Sequence, residues 1–167
     1  MYNLKFSHIV LVVCLLVAGC SSNDSQREFE NEAFALPDGF TRTNDRGQVV
    51  NDEVDSDDWR IGPFFQGLAL VDPAFPNPVL TNGLLTINLQ VTGLDAVSGV
   101  RVYVLHDFNR PTFLYQDFRT PLPPGLISIN LNPLDIARIR ENPQGLYRLI
   151  ITDGRDNVIT YGDIKIE

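Results

Sequence analysis

Residues 84–91 read LLTINLQV, with Leu85, Ile87, Leu89 and Val91 on one face and Thr86, Asn88 and Gln90 on the other. Successive side chains of a strand point to opposite faces, so this period of two is the mark of a half-buried β-strand. Reading downstream, VRVYVLH (100–106) repeats the pattern through Val100, Val102 and Val104. TFLYQDF (112–118) and GLISINL (125–131) add two more runs, the second after the turn-making PLPPG. GLYRLIIT (145–152) and NVITYGDIKI (157–166) flank Asp153-Gly154-Arg155-Asp156, a hairpin turn. Upstream, GLALV (67–71) ends at Asp72-Pro73, and AFPNPVLTNG (74–83) is a proline-punctuated loop. One stretch changes period: NPLDIARIREN (132–142) places Leu134, Ile136 and Ile139 at helical spacing, and Pro143 stops it. Short strands at this spacing, without alternating long helices, predict an all-β antiparallel sandwich of about seven strands with one short helix.

In front of these runs the composition changes. Residues 21–58 hold eleven acids and three arginines, a net of −8, whereas the chain from Trp59 onward holds ten acids and nine bases, a net of −1. The acidity is therefore a property of the front segment. Few branched apolar residues and like-charge repulsion predict an extended, mobile spacer over 20–58, spanning on the order of 35 Å as a random coil. Within it, EFENEAF (28–34) places Phe29 and Phe34 where a helical turn or a contact can form. NDEVDSDDW (51–59) offers Asp52, Glu53, Asp55, Asp57 and Asp58, oxygen donors of the kind calcium takes. The spacing lacks the glycine and closing glutamate of an EF-hand loop, so the expectation is a solvated acidic segment with no metal.

The first residues have a different logic. Ile9 to Ala18 is an uninterrupted apolar run preceded by Lys5. Ten residues are about half the roughly 20 needed to cross a bilayer, and fit the hydrophobic region of a signal peptide. The run closes on Val17-Ala18-Gly19-Cys20, which resembles the lipobox of bacterial lipoproteins. That resemblance implies cleavage before Cys20, a signal peptide over 1–19 and a diacylglyceryl thioether on the Cys20 sulfur. Ser21, rather than an aspartate, then points to the outer membrane. Cys14 and Cys20 are the only cysteines, so a mature chain of this kind has neither a disulfide nor a free thiol and depends on its core.

The sandwich region also carries a resemblance. Pro76-Asn77-Pro78, Val102-Tyr103-Val104 with Asp107, and Gly145-Leu146-Tyr147 are similar to the opening, middle strand and final hairpin approach of an immunoglobulin-like domain. That domain is found at the C-terminus of many Bacteroidota-type secreted proteins and in flagellar-hook capping proteins. It implies an immunoglobulin-like β-sandwich over 59–167 and a tyrosine-corner hydrogen bond from Tyr147.

For function, the inventory is thin in catalytic groups. His8 departs with the signal, leaving His106 as the histidine of a mature chain, with Ser98 or Ser128 as conceivable nucleophiles and nothing to place either beside it. No nucleophile elbow, phosphate loop or zinc-ligand spacing is present. The expectation is a non-enzymatic accessory or docking module for another envelope protein, with no cofactor and no nucleic-acid partner. A carbohydrate- or peptidoglycan-binding module is the alternative and an unrecognised hydrolase the third reading. HDFNRPTFLY (106–115) gathers Phe108, Arg110, Phe113 and Tyr115 around a proline, side chains that often dominate interfaces. These form a partner-binding loop, or else one of Phe113 and Tyr115 enters the core while Phe108 covers the sandwich end. Trp59, with Arg60, Phe64 and Phe65, either joins such a surface or docks the spacer onto the domain.

Overall fold

A computed structural model of the chain describes residues 23–94, 97–107 and 110–167. Seven strands form: β1 (Ala69–Val71), β2 (Leu85–Val91), β3 (Val100–Asp107), β4 (Arg110–Asp117), β5 (Gly125–Leu131), β6 (Gly145–Thr152) and β7 (Val158–Ile166). They assemble as two antiparallel sheets in the orders β1-β2-β5 and β4-β3-β6-β7. The alternation of β2 is realised as read: Leu85, Ile87, Leu89 and Val91 are buried, and Gln90 faces solvent. Those side chains meet Val102, Val104, Leu149, Ile151 and Ile164 from the larger sheet in one core cluster. This is the layered antiparallel β-sandwich the alternation predicted, with β4 paired to the larger sheet.

The short helix, α2 (Pro133–Ile136), is capped by the Asn132 side chain, which accepts from the Leu134 N–H. It is shorter than the expected run, because the chain turns extended at Ala137 and leaves Ile139 exposed. Tyr147 donates its hydroxyl hydrogen to the Pro143 carbonyl at 3.0 Å, the corner bond its position implied. The Asp153 carboxylate organises the β6–β7 turn by accepting from the N–H groups of Arg155 and Asn157.

The front segment departs from expectation. Instead of an extended spacer, its described part, 23–58, is folded onto the outer face of the larger sheet. Residues 23–33 are helical, and this helix, α1, seats Phe29 and Ala33 against Leu105, Ile150, Val158 and Tyr161. The Phe29 and Tyr161 rings lie 5.1 Å apart. Most acids of the segment still point outward, several of them paired: Asp24 with Arg27, Glu53 with Arg42, Glu32 with Arg60. Composition registered those charges. It did not register that a few apolar and neutral polar groups between them suffice to dock the backbone.

A boundary at 58/59 is not a structural boundary either, because residues on both sides of it seal the same strand edge. Trp59 donates its N–H to the Tyr161 carbonyl at 2.7 Å, and Gly62 to that of Ile159 at 2.8 Å. The Asp163 N–H donates to Asp58 Oδ1 at 2.6 Å, and Thr41 donates to Asp58 Oδ2 at 2.6 Å. Farther along β7, Asn77 accepts from the Lys165 N–H and donates to the carbonyls of Thr41 and Asp163. Val79 then pairs with Ile166 in parallel.

Beneath this seal, Arg148 lies buried on β6. Its guanidinium grips the Asp163 carboxylate through two hydrogen bonds of 2.7 Å and packs 5.0 Å above the Tyr161 ring. It also donates to the carbonyls of Glu32 and Ala35 at the end of α1. A fork of donors suits a planar carboxylate, and a buried arginine needs each of these acceptors. The chemistry of the wrap is thus a polar seam: one arginine, two buried aspartates and one buried asparagine.

Candidate functional site

The larger sheet has a second edge, β4, and most residues expected to bind a partner lie along it. Arg110 opens β4, opposite Asp107 in the register, with its side chain exposed. A bulge between Val102 and Tyr103 sets the faces of the strand. Tyr115 pairs with Val102 and, with Leu114, packs partly buried on the core. Phe113 pairs with Tyr103, stays 53% exposed and sets its ring edge-on to Tyr103 at 6.0 Å. The two aromatics left open by the sequence therefore separate, Tyr115 supporting the core and Phe113 facing solvent. From sequence, Tyr103 stood out only as part of the Val102-Tyr103-Val104 motif and not as a binding residue. Its place between Val102 and Val104 is the signal that puts it on the opposite face.

Among the described residues, no backbone hydrogen bond reaches the outer side of β4. Arg110, Phe113 and Tyr103 thus flank a row of strand amides and carbonyls that no other segment described here covers. Phe108, and Cys20 with the signal segment, lie outside the described residues. No helix in the described part is long and apolar enough to cross a membrane.

Trp59 does not belong to this surface. It is 5% exposed and lies on the opposite edge, in the core cluster. Its backbone adopts φ 59°, and its ring covers Gly162 so closely that a β-carbon there would fall 2.3 Å from the indole. Trp59 is a wedge between the wrap and β7, which corrects its assignment as a partner-binding residue. Of its neighbours, Phe65 is buried, whereas Arg60 reaches out over the Phe29 and Tyr161 rings to Glu32.

The groups considered for catalysis are dispersed. Nε2 of His106 sits 2.7 Å from the Ile136 carbonyl, and its ring stands edge-on to Tyr147. Ser98 donates to Asp153, and Ser128 donates to Asn88 on the other sheet. Neither serine is brought to the histidine.

The acidic run divides as well. The carboxylates of Asp55 and Asp57 converge with that of Asp38 to within 4.8 Å, while Glu53 pairs with Arg42. Three oxygens are half or fewer of the six to eight that calcium takes. A hydrogen bond from Asp55, followed by partial burial, raises the Asp57 carboxyl above its ordinary range. Asp58 turns inward to the seam, where burial pushes its carboxyl up to about 7 against the opposing hydrogen bonds from Asp163 and Thr41. Compared with known proteins, the chain matches no family model and no curated protein.

Proposed function

We propose that this protein is a non-catalytic lipoprotein of the bacterial outer membrane, held by a lipid on Cys20, that docks a second envelope protein along its β4 edge. The observation that carries the docking half is the contrast between the partly buried Tyr115 and the exposed Phe113, set against half-buried Tyr103 beside Arg110, on an edge strand that no other described segment covers. Aromatic and arginine side chains give much contact for little ordering cost, and an open strand edge supplies backbone donors and acceptors to a partner. The lipid half rests on the Val17-Ala18-Gly19-Cys20 sequence.

Two measurements test the two halves separately. Labelled palmitate should enter the wild type and not Cys20→Ser; equal labelling of both removes the anchor. A photo-crosslinking residue placed at 113 in intact cells should yield one discrete adduct, lost on Arg110→Ala, while the same residue at Asn130 on the other sheet yields none. Equal adducts from both positions remove β4 as the docking edge.

A further inference from the structure

At the β6–β7 hairpin end of the sandwich lies a cleft of about 280 Å³, between that turn and the chain leaving β4. Its size falls just below the roughly 300–1,000 Å³ of drug-sized ligand pockets, which suits a small ligand. Three features of its lining belong together. Phe118 forms part of the wall and is 80% exposed, so its ring is open to a ligand in the cleft. Arg155 lines the cleft with no side-chain partner among the described residues, although the other two arginines nearby are paired, Arg101 with Asp156 and Arg119 with Asp117. Gln116 adds an amide with no side-chain partner among the described residues, beside the Ser98 hydroxyl, which spends its hydrogen on Asp153 and keeps its acceptor lone pairs.

We propose that this cleft binds an acidic sugar, a pyranose ring bearing one carboxylate. The guanidinium of Arg155 supplies a planar fork for the carboxylate. The Phe118 ring supplies an apolar face for the C–H side of the sugar. Gln116 and Ser98 supply donors and acceptors for its hydroxyls. Three carboxylates surround the cleft and all are already held: Asp156 by Arg101, Asp117 by Arg119, and Asp153 by the Ser98 hydroxyl and the N–H groups of Arg155 and Asn157. That leaves the Arg155 guanidinium to receive a ligand carboxylate. A phosphate dianion would bring two charges to one guanidinium among three fixed carboxylates. The site lies at the hairpin end of the sandwich, formed chiefly by loops and strand ends, and does not depend on the β4 docking proposal.

The test is a calorimetric and NMR titration of the full chain in detergent micelles with galacturonate, galactose, acetate, N-acetylalanine and inorganic phosphate. Galacturonate should move the amide signals of Gln116, Phe118, Gly154 and Arg155 and bind at least tenfold more tightly than galactose, acetate or phosphate. Arg155→Ala and Phe118→Ser, both at exposed positions, should keep the unfolding midpoint and each lose at least fivefold in galacturonate affinity. Galactose binding as well as galacturonate removes the role of the carboxylate. Acetate or N-acetylalanine binding as well removes the sugar and leaves a simple carboxylate or peptide-terminus site. Phosphate binding as tightly removes the charge argument, and unchanged affinity in both variants removes the cleft.

Discussion

The two edges of the four-stranded sheet are treated in opposite ways. Along β7, residues 58–62 and 77–79 satisfy the edge backbone almost rung by rung, and α1 covers the face beside it. Along β4, no described segment makes such bonds, and Phe113 stands in solvent beside the half-buried Tyr103. An exposed strand edge invites pairing with other chains, and proteins blunt it with bulges, prolines and charges. β4 has all three, in its bulge at Leu114, Pro111 and Arg110. The difference teaches that the front segment acts as a cover for one edge only. The chain spends its burial on β7 and leaves β4 guarded but available.

If the β7 half is held by its seam, the largest effect should come from Arg148→Ala. It strands the buried Asp163 carboxylate, and breaking one side of such a pair costs about 3–5 kcal/mol, read as a fall in the urea midpoint. The double variant Arg148→Met, Asp163→Leu should recover most of that loss, since an apolar pair can replace a buried ion pair at little cost. A single variant no worse than a surface substitution would break the comparison.

The next effect is a pH dependence. The Asp58 carboxyl has a folded value of about 7 against an ordinary 3.8, so the folded state holds this proton more tightly than the unfolded chain does. Its contribution is complete below about pH 4 and is lost as pH rises through 7. At about 1.36 kcal/mol per unit, the loss is bounded at about 4 kcal/mol. Burial also raises the Asp163 carboxyl, the same direction, though Arg148 opposes it. Unfolding at pH 5 and pH 8.5 should show the decline, and Asp58→Asn should flatten it. An equally steep profile in Asp58→Asn would assign the titration elsewhere.

A smaller cost is expected at Gly162→Ala, where the new methyl group would press on the Trp59 indole. Overpacking of this kind costs about 1–3 kcal/mol, and near-ultraviolet circular dichroism of the single tryptophan should change with it. Least of all, Phe113→Ser should alter stability by no more than about 0.5 kcal/mol, as exposed positions do. A loss as large as that at Gly162 would show that Phe113 belongs to the folded core rather than to an open edge.

The sandwich was legible because alternation is a local signal. Leu85 to Val91 and Val100 to Val104 announce their buried faces within a few residues. The wrap was not, because its bonds span long separations and its key groups imitate surface residues. Arg148 and Asp163 occupy the outward positions of β6 and β7, where charge usually means solvent, yet they are 2% and 0% exposed. Asp58 is the last acid of an acidic run, and nothing local distinguishes it from Asp57. Asn77 reads as part of a proline loop, whereas its side chain joins Thr41 to β7. At the candidate site, the residue types were visible but their facing was not. The bulge in β4 decides that Phe113 turns outward and Tyr115 inward.

The packed front segment changes what a lipid on Cys20 would do to the protein's whereabouts. Only the stretch from Cys20 to residue 23 lies ahead of the described fold, and at about 3.6 Å per residue it reaches roughly 11 Å at most. A coil through residue 58 would have given on the order of 35 Å. Since explored space scales with the cube of reach, the sandwich would search a volume roughly thirtyfold smaller. It would ride against the bilayer, and its partners would have to be found by lateral diffusion within the membrane rather than by a domain sweeping the space above it.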